Sequence, residues 1–136
     1  MLHHLSIGVR DLALAARFYD AALGALGYRR VFEDDTAIGY GVEEDKDLLC
    51  LKLRADAAAP GPGSHIAFTA PSRASVVACH AAALQAGGRD NGAAGLRPDY
   101  GPNYYACFLI DPDGHHIEAV INAPSAVEAS ARDRVG

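Results

Sequence analysis

Apolar and polar residues alternate in HLSIGV: Leu5, Ile7 and Val9 share one face and His4, Ser6 and Gly8 the other, as in a half-buried strand. Asp11 offers an N-cap. The spacing of Leu14, Phe18, Ala22 and Leu26 predicts a helix over about Leu12 to Leu26 that buries these four side chains and stops at Gly27. Three segments of strand-like composition follow, YRRVFED, AIGYGV and DLLCLKL, separated by acidic or glycine-containing turns. The unit is β-α-β-β-β.

After ADAAAPGPGS, a connector with no periodicity, the pattern restarts. HIAFTA alternates, Ser72 is placed as a cap, and SRASVVACHAAALQAGG reads as a helix ending at Gly87-Gly88. A shift of 61 positions lays His4 on His65, Leu23 on Leu84 and Gly27 on Gly88, at strand start, helix interior and helix end. Further matches fall on alanines and weigh little. The second unit runs through a long loop, NGAAGLRPDYGPN, before the strands YYACFLI and HHIEAVI, and loops of that length in a compact domain are often functional. In the tail, Ser125-x-x-Glu128 resembles a capping box and predicts a short helix.

The 136 residues, half of them apolar, fit one compact domain. A net charge of −5 with scattered basic residues gives no phosphate-binding footprint, so nucleic acid is not an expected partner. Cys50, Cys79 and Cys107 are odd in number and lack a CxxC pair, which points to reduced thiols in a cytoplasmic protein. The longest apolar stretch, LALAARFYDAALGALG, carries Arg17 and Asp20 and is shorter than the roughly 20 apolar residues of a membrane span. Neither a membrane nor a secretion signal is expected, since MLHHLSIGVRDL has no basic region followed by an apolar one.

The chemistry lies on the polar faces. In HHIEAVI, Ile117, Ala119 and Ile121 form an apolar face and leave His116, Glu118 and Val120 opposite. His4 and His65 stand at the starts of the two equivalent strands. If the two units form one curved sheet system, these residues line a common concavity. Two imidazoles and a carboxylate suit a divalent transition metal, and three protein ligands leave positions open for water or substrate. DPDG before the last strand is a turn motif that any hairpin can use. A one-residue bulge at Gly114 pairs Phe108 with Glu118 and puts Tyr104 on the same face, whereas a two-residue loop pairs Cys107 with Glu118.

HLSIGVRDLALAARFYDAALGALGY, HIAF and YYACFLIDPDGHHIEAV together resemble the vicinal oxygen chelate superfamily of glyoxalases, bleomycin-resistance proteins, fosfomycin-resistance transferases and extradiol dioxygenases. The resemblance implies an α+β fold: two βαβββ modules, about 1–54 and 65–122, joined by a linker over 55–64 and followed by a tail over 123–136. The modules would form a cupped mixed sheet with helices on the outside. It also implies His4, His65 and Glu118 as ligands of Zn, Ni, Fe or Mn, a small substrate chelated through adjacent oxygens, and a homodimer. Cys50 is a candidate fourth ligand. Where glyoxalase I has an acidic ligand near the end of the first module, LLCLKL offers Cys50 or Lys52, which argues against strict glyoxalase I activity. Ser6, Arg97, Tyr100, Tyr104, Phe108 and His116 are candidate pocket residues, with His80 a further histidine by elimination. Arginine and tyrosines beside the long loop suit a carboxylate or phosphate. The competing expectations are a metal-free drug- or metabolite-binding protein of the bleomycin-resistance kind and an interaction module with a vestigial cup.

Overall fold

The computed structural model describes residues 1–125, so the helix expected around Ser125 and Glu128 lies outside the described residues. The elements run β1 (Leu5–Val9), α1 (Leu12–Gly24), β2 (Arg29–Glu33), β3 (Ala37–Gly41), β4 (Leu49–Leu53), β5 (Ile66–Thr69), α2 (Arg73–Gln85), β6 (Arg89–Leu96), β7 (Tyr104–Ile110) and β8 (His116–Asn122). They build two four-stranded mixed sheets, ordered β1-β4-β3-β2 and β5-β8-β7-β6. In each sheet the first strand pairs parallel with the last and the other pairs are antiparallel. Two βαβββ modules of one topology result, and the fold is α+β. No helix among the described residues is long and apolar enough to cross a membrane.

The helices keep the predicted offset, since Leu12–Gly24 and Arg73–Gln85 differ by 61 positions at both ends. Asp11 accepts a hydrogen bond from the Leu14 amide at 3.0 Å, and Ser72 and Ser75 form a reciprocal capping box. The buried stripe of α1 is Ala15, Ala16, Phe18, Tyr19, Ala22 and Leu23, while Leu14, predicted to be buried, is exposed. Leu14 sits one position off the 3-4 spaced stripe that faces both the first sheet and α2.

The expected match of Gly27 with Gly88 is also shifted. Gly27 and Gly87 both take φ +95°, the left-handed conformation that closes a helix, so Gly87 is the structural counterpart. Gly88 has a different task. A Cβ there would come within 2.6 Å of the Phe18 ring and 2.8 Å of the Ala83 carbonyl, so the two modules meet where this residue has no side chain. Gly88→Ala is therefore expected to lower stability by about 1–3 kcal/mol through overpacking, a drop of several degrees in the thermal midpoint. An unchanged midpoint would show that the contact yields freely.

One apolar cluster spans both modules, with Phe18 and Tyr19 from α1, Val76 and Cys79 from α2, Leu49 and Leu51 from β4 and Leu109 from β7. Burial of each large side chain contributes roughly 1.5–3 kcal/mol. All three cysteines are buried and free. Leu5, Ile7, Val9, Leu49 and Leu51 belong to this core, so Ser6 and Cys50, paired in the β1–β4 register, lie on the opposite face of the first sheet. In the second sheet Ile117, Ala119 and Ile121 join the core and leave Glu118 on the opposite face.

The predicted loop NGAAGL is instead most of strand β6, antiparallel to β7. Its Gly, Ala and Asn have low strand propensity and no alternation, and two register shifts, between Asp90 and Gly92 and between Gly92 and Gly95, interrupt the pairing. Pairing with β7 rather than local preference makes it a strand.

The DPDG turn takes the bulged form. Asp111 N donates to His115 O at 2.9 Å, Gly114 has φ +92°, and Phe108 pairs with Glu118. The turn also ties the modules together. Buried Asp111 accepts from the Tyr19 hydroxyl at 2.6 Å and from the amides of Asp113 and His115 at 2.9 and 2.8 Å. Buried His115 places Nε2 3.0 Å from the Gly8 carbonyl, and Asp113 accepts from the Arg10 amide and Nε.

Candidate metal centre

Glu118 occupies the middle of β8, between Ala67 of β5 and Phe108 of β7. Only 2% of it is exposed, and burying a carboxylate without partners is costly. It has two partners. His65, just ahead of β5, brings Nε2 to 3.3 Å from Oε1, and the Tyr104 hydroxyl donates to Oε2. Alternation along β7 puts Tyr104 and Phe108 on the face of Glu118, because residues four apart in a strand point the same way. Burial first, then the bond to Glu118 and its charge, pushes the Tyr104 hydroxyl up to about 12, so it stays protonated and remains a donor at neutral pH.

A cavity of about 380 Å³ opens over this pair, lined by His65, Asn91, Tyr100, Tyr104, Phe108, His116 and Glu118 among others. The His65 side chain is 54% exposed and its ring is reachable from the cavity. Tyr100 stacks at a tilt on Tyr104, ring centres 5.2 Å apart, and is 66% exposed. Arg97 lines an adjoining hollow of about 390 Å³ that shares Asn91, Tyr100 and Phe108 with the first. Thus His65, Glu118, Tyr100, Tyr104, Phe108 and His116, each singled out from the sequence, converge on one cavity.

The remaining candidates lie elsewhere. His4 precedes β1, is exposed, and has Nδ1 2.8 Å from His3 Nδ1. Ser6 and Cys50 lie together on the first sheet, and burial raises the Cys50 thiol pKa, which keeps it protonated. His80 lies on α2, bound to Asp90 at 2.9 Å. Among the described residues of one chain no group of three His, Cys, Asp or Glu side chains gathers around a point fit for a metal. One chain therefore presents the His65–Glu118 part of the expected ligand set, and His4 is presented from the other module.

The nitrogen and carboxylate donors fit a divalent transition metal. His65 Nε2 and Glu118 Oε1 face each other at the cavity wall, and Tyr104 fixes the second carboxylate oxygen, as an outer partner of a ligating carboxylate does. Asn91 and Ser64, which also line the cavity, were not singled out from the sequence. Asn91 lies in the stretch read as a loop, and its place in β6 is what brings it to the site.

The profile of the Glyoxalase/Bleomycin resistance protein/Dioxygenase superfamily matches residues 1–119. No match was found among curated proteins. Among solved structures, a glyoxalase/bleomycin resistance protein from Albidiferax ferrireducens is similar with 31% identity and a TM-score of 0.75, over 88% of this chain and 97% of that one. A glyoxalase-related enzyme from Fulvimarina pelagi shares 22% identity and a TM-score of 0.69, over 90% and 88%. A fosfomycin resistance protein from Mesorhizobium loti shares the fold at 15% identity and a TM-score of 0.63, over 100% and 98%. With βαβββ modules repeated in one chain and the profile matched over nearly its whole length, the chain belongs to the glyoxalase/bleomycin resistance protein/dioxygenase superfamily.

Proposed function

We propose that this protein is a metal-dependent enzyme acting on a small oxygen-rich molecule, with a site shared between two copies of a homodimer. His65 and Glu118 of one copy and His4 of the other would hold the ion, Zn, Ni, Fe or Mn. The observation that carries the proposal is the buried Glu118 carboxylate facing a half-exposed imidazole across 3.3 Å at a cavity wall, with no third His, Cys, Asp or Glu gathered there among the described residues. The helix-free face of the first sheet, bearing Ser6 and Cys50 next to His4, is the surface the second copy would bring. When bound, the metal supplies Lewis-acid stabilisation of negative charge on substrate oxygens.

The chain's own residues set the conditions for that chemistry. Tyr104 orients the carboxylate, and its high pKa keeps the donor intact at neutral pH. Phe108 and Tyr100 give one wall of the cavity an aromatic surface against which a bound substrate would pack. His116, exposed at the cavity, is placed to exchange protons with a bound substrate. Lyase, isomerase, dioxygenase and thiol-transferase chemistry all begin from such a chelate.

A second reading is metal-free binding of a drug or metabolite in the same cavity. It is favoured by one observation, that Tyr104 and His65 already satisfy Glu118. Elemental analysis of protein purified without a metal-affinity tag separates the two. The enzyme reading predicts about one equivalent of a transition metal per site, or uptake on titration. Less than about a tenth of an equivalent, with no uptake, would leave the binding-protein reading.

A further inference from the structure

We propose that Arg97 is the anchor for an oxyanion on the substrate, so that the site selects molecules with chelating oxygens at one end and a carboxylate or phosphonate at the other. The inference rests on the metal-bound reading of the cavity and adds the substrate class. Phe108 is the direct cross-strand partner of Glu118, and the Arg97 guanidinium carbon stands 5.3 Å from the centre of the Phe108 ring. One aromatic side chain thus separates the carboxylate end of the site from the guanidinium end. The two hollows adjoin there, sharing Asn91, Tyr100 and Phe108 in their walls.

Strand β6 is shaped around the guanidinium. A Cβ on Gly92 would lie 3.3 Å from Nη2 and 3.0 Å from the Phe108 ring, and a Cβ on Gly95 would lie 3.3 Å from Nη1. Gly92 also has φ +149°, a conformation that residues with side chains rarely adopt. The two register shifts of β6 flank Gly92, the second falling between it and Gly95. The Arg97 guanidinium sits beside these glycines, with Nη2 donating to Ala93 O at 2.5 Å and Nη1 to Leu96 O at 3.4 Å.

Those bonds occupy two of five N–H groups and neutralise no charge. The acid nearest in sequence, Asp99, lines the same hollow but forms no ion pair with Arg97, whose guanidinium instead meets the two carbonyls and the ring. A half-buried guanidinium, seated on backbone and aromatic surface and without a counter-ion among the described residues, is suited to a planar oxyanion through its remaining donors. Tyr100, exposed at the rim of both hollows, would flank the bound molecule.

The test uses zinc-loaded full-length protein and four probes with one chelating head: benzohydroxamate and its para-carboxylate, para-phosphonate and para-carboxamide. Titration calorimetry is expected to show the anionic probes binding at least about tenfold tighter than the carboxamide, the scale of one charge-assisted contact. In Arg97→Gln the gap should close, with benzohydroxamate affinity held within about twofold. A tighter carboxylate names a carboxylic acid substrate and a tighter phosphonate a phosphorus oxyanion, and either supports the anchor. Equal binding of anionic and carboxamide probes by the wild type overturns it without use of any variant, as does a gap that survives in Arg97→Gln. Glu118→Gln separates this from the metal reading. If all four probes lose affinity there, that reading stands whatever Arg97 does. If the anion preference persists undiminished in Glu118→Gln and needs Arg97, the anchor holds and the metal reading falls.

Discussion

Glu118→Ala is expected to abolish metal uptake, with affinity falling by at least about a hundredfold, since loss of an outer partner alone typically costs 10–100-fold. The reason is local. Glu118 is the one buried carboxylate at the cavity, and His65 Nε2 faces it at 3.3 Å with no other acid among the cavity's lining residues to take over. His65→Ala should produce a comparable loss. Tyr104→Phe, which removes the donor to Oε2 and leaves His65 and Glu118 in place, should cost about 10–100-fold. The ordering is read by competition titration against a chromophoric chelator, with circular dichroism to show that each variant keeps its fold. Wild-type affinity in Glu118→Ala would place the metal elsewhere.

The second large effect is on stability. Tyr19→Phe is expected to cost about 1.5–3 kcal/mol, the usual contribution of a hydrogen bond to a charged group, because it leaves the buried Asp111 carboxyl without its donor from α1. Asp111→Ala should cost more, since the Tyr19 hydroxyl and the amides of Asp113 and His115 all lose their acceptor. The pH dependence has a definite sign. Burial raises the Asp111 pKa in the folded protein, against the opposing effect of its hydrogen bonds. A carboxyl with a raised folded pKa stabilises the fold fully below its unfolded pKa, near 3.9, and that contribution is lost as pH rises through the folded value. Asp111→Asn, which does not titrate, should lack this loss. The Tyr19→Phe cost should be larger at pH 7 than at pH 4, because the donor matters more to the carboxylate than to the acid. Chemical denaturation at the two pH values checks both, and a larger cost at pH 4 would contradict the assignment.

Period-2 alternation made β1, β5 and β8 legible, and with them the face on which Glu118 sits. The 61-residue offset reproduces both helices to the residue at each end. What escaped was set by partners distant in sequence. Strand β6 has a loop's composition and is held by β7, which is also why Asn91 was missed. Gly88 matched Gly27 in type but serves the approach of Phe18, while Gly87 takes the helix-ending conformation. Leu14 was expected inside because any apolar residue at helical spacing qualifies, and only the position of the neighbouring sheet and helix fixes which stripe is buried.

The candidate site divides in the same way. His65, Glu118, Tyr104 and Phe108 follow from strand faces and the Gly114 bulge, and they meet in one cavity. The bond from Tyr104 to Glu118 was open to inference once that register was chosen. The role of Asp111 was not, because DPDG is sufficient as a turn, and its bond to Tyr19, like that of Asp113 to Arg10, joins residues about a hundred positions apart. His4 was grouped with His65 and Glu118 by equivalence of position, whereas within a chain it lies just ahead of β1 in the other module.

That separation makes a shared site the central claim, and mixing two inactive variants tests it most directly. His4→Ala lacks the ligand that one copy would lend, and Glu118→Ala lacks the carboxylate that the other would hold. Each alone should bind no metal. Unfolded together in equal amounts and refolded, random pairing makes about half of the dimers mixed, each with one complete site of two, so metal should return to about a quarter of the wild-type level. Recovery to that level is the predicted result. No recovery from a mixture shown to contain mixed dimers, or full metal binding by His4→Ala alone, would contradict a site completed by the second copy.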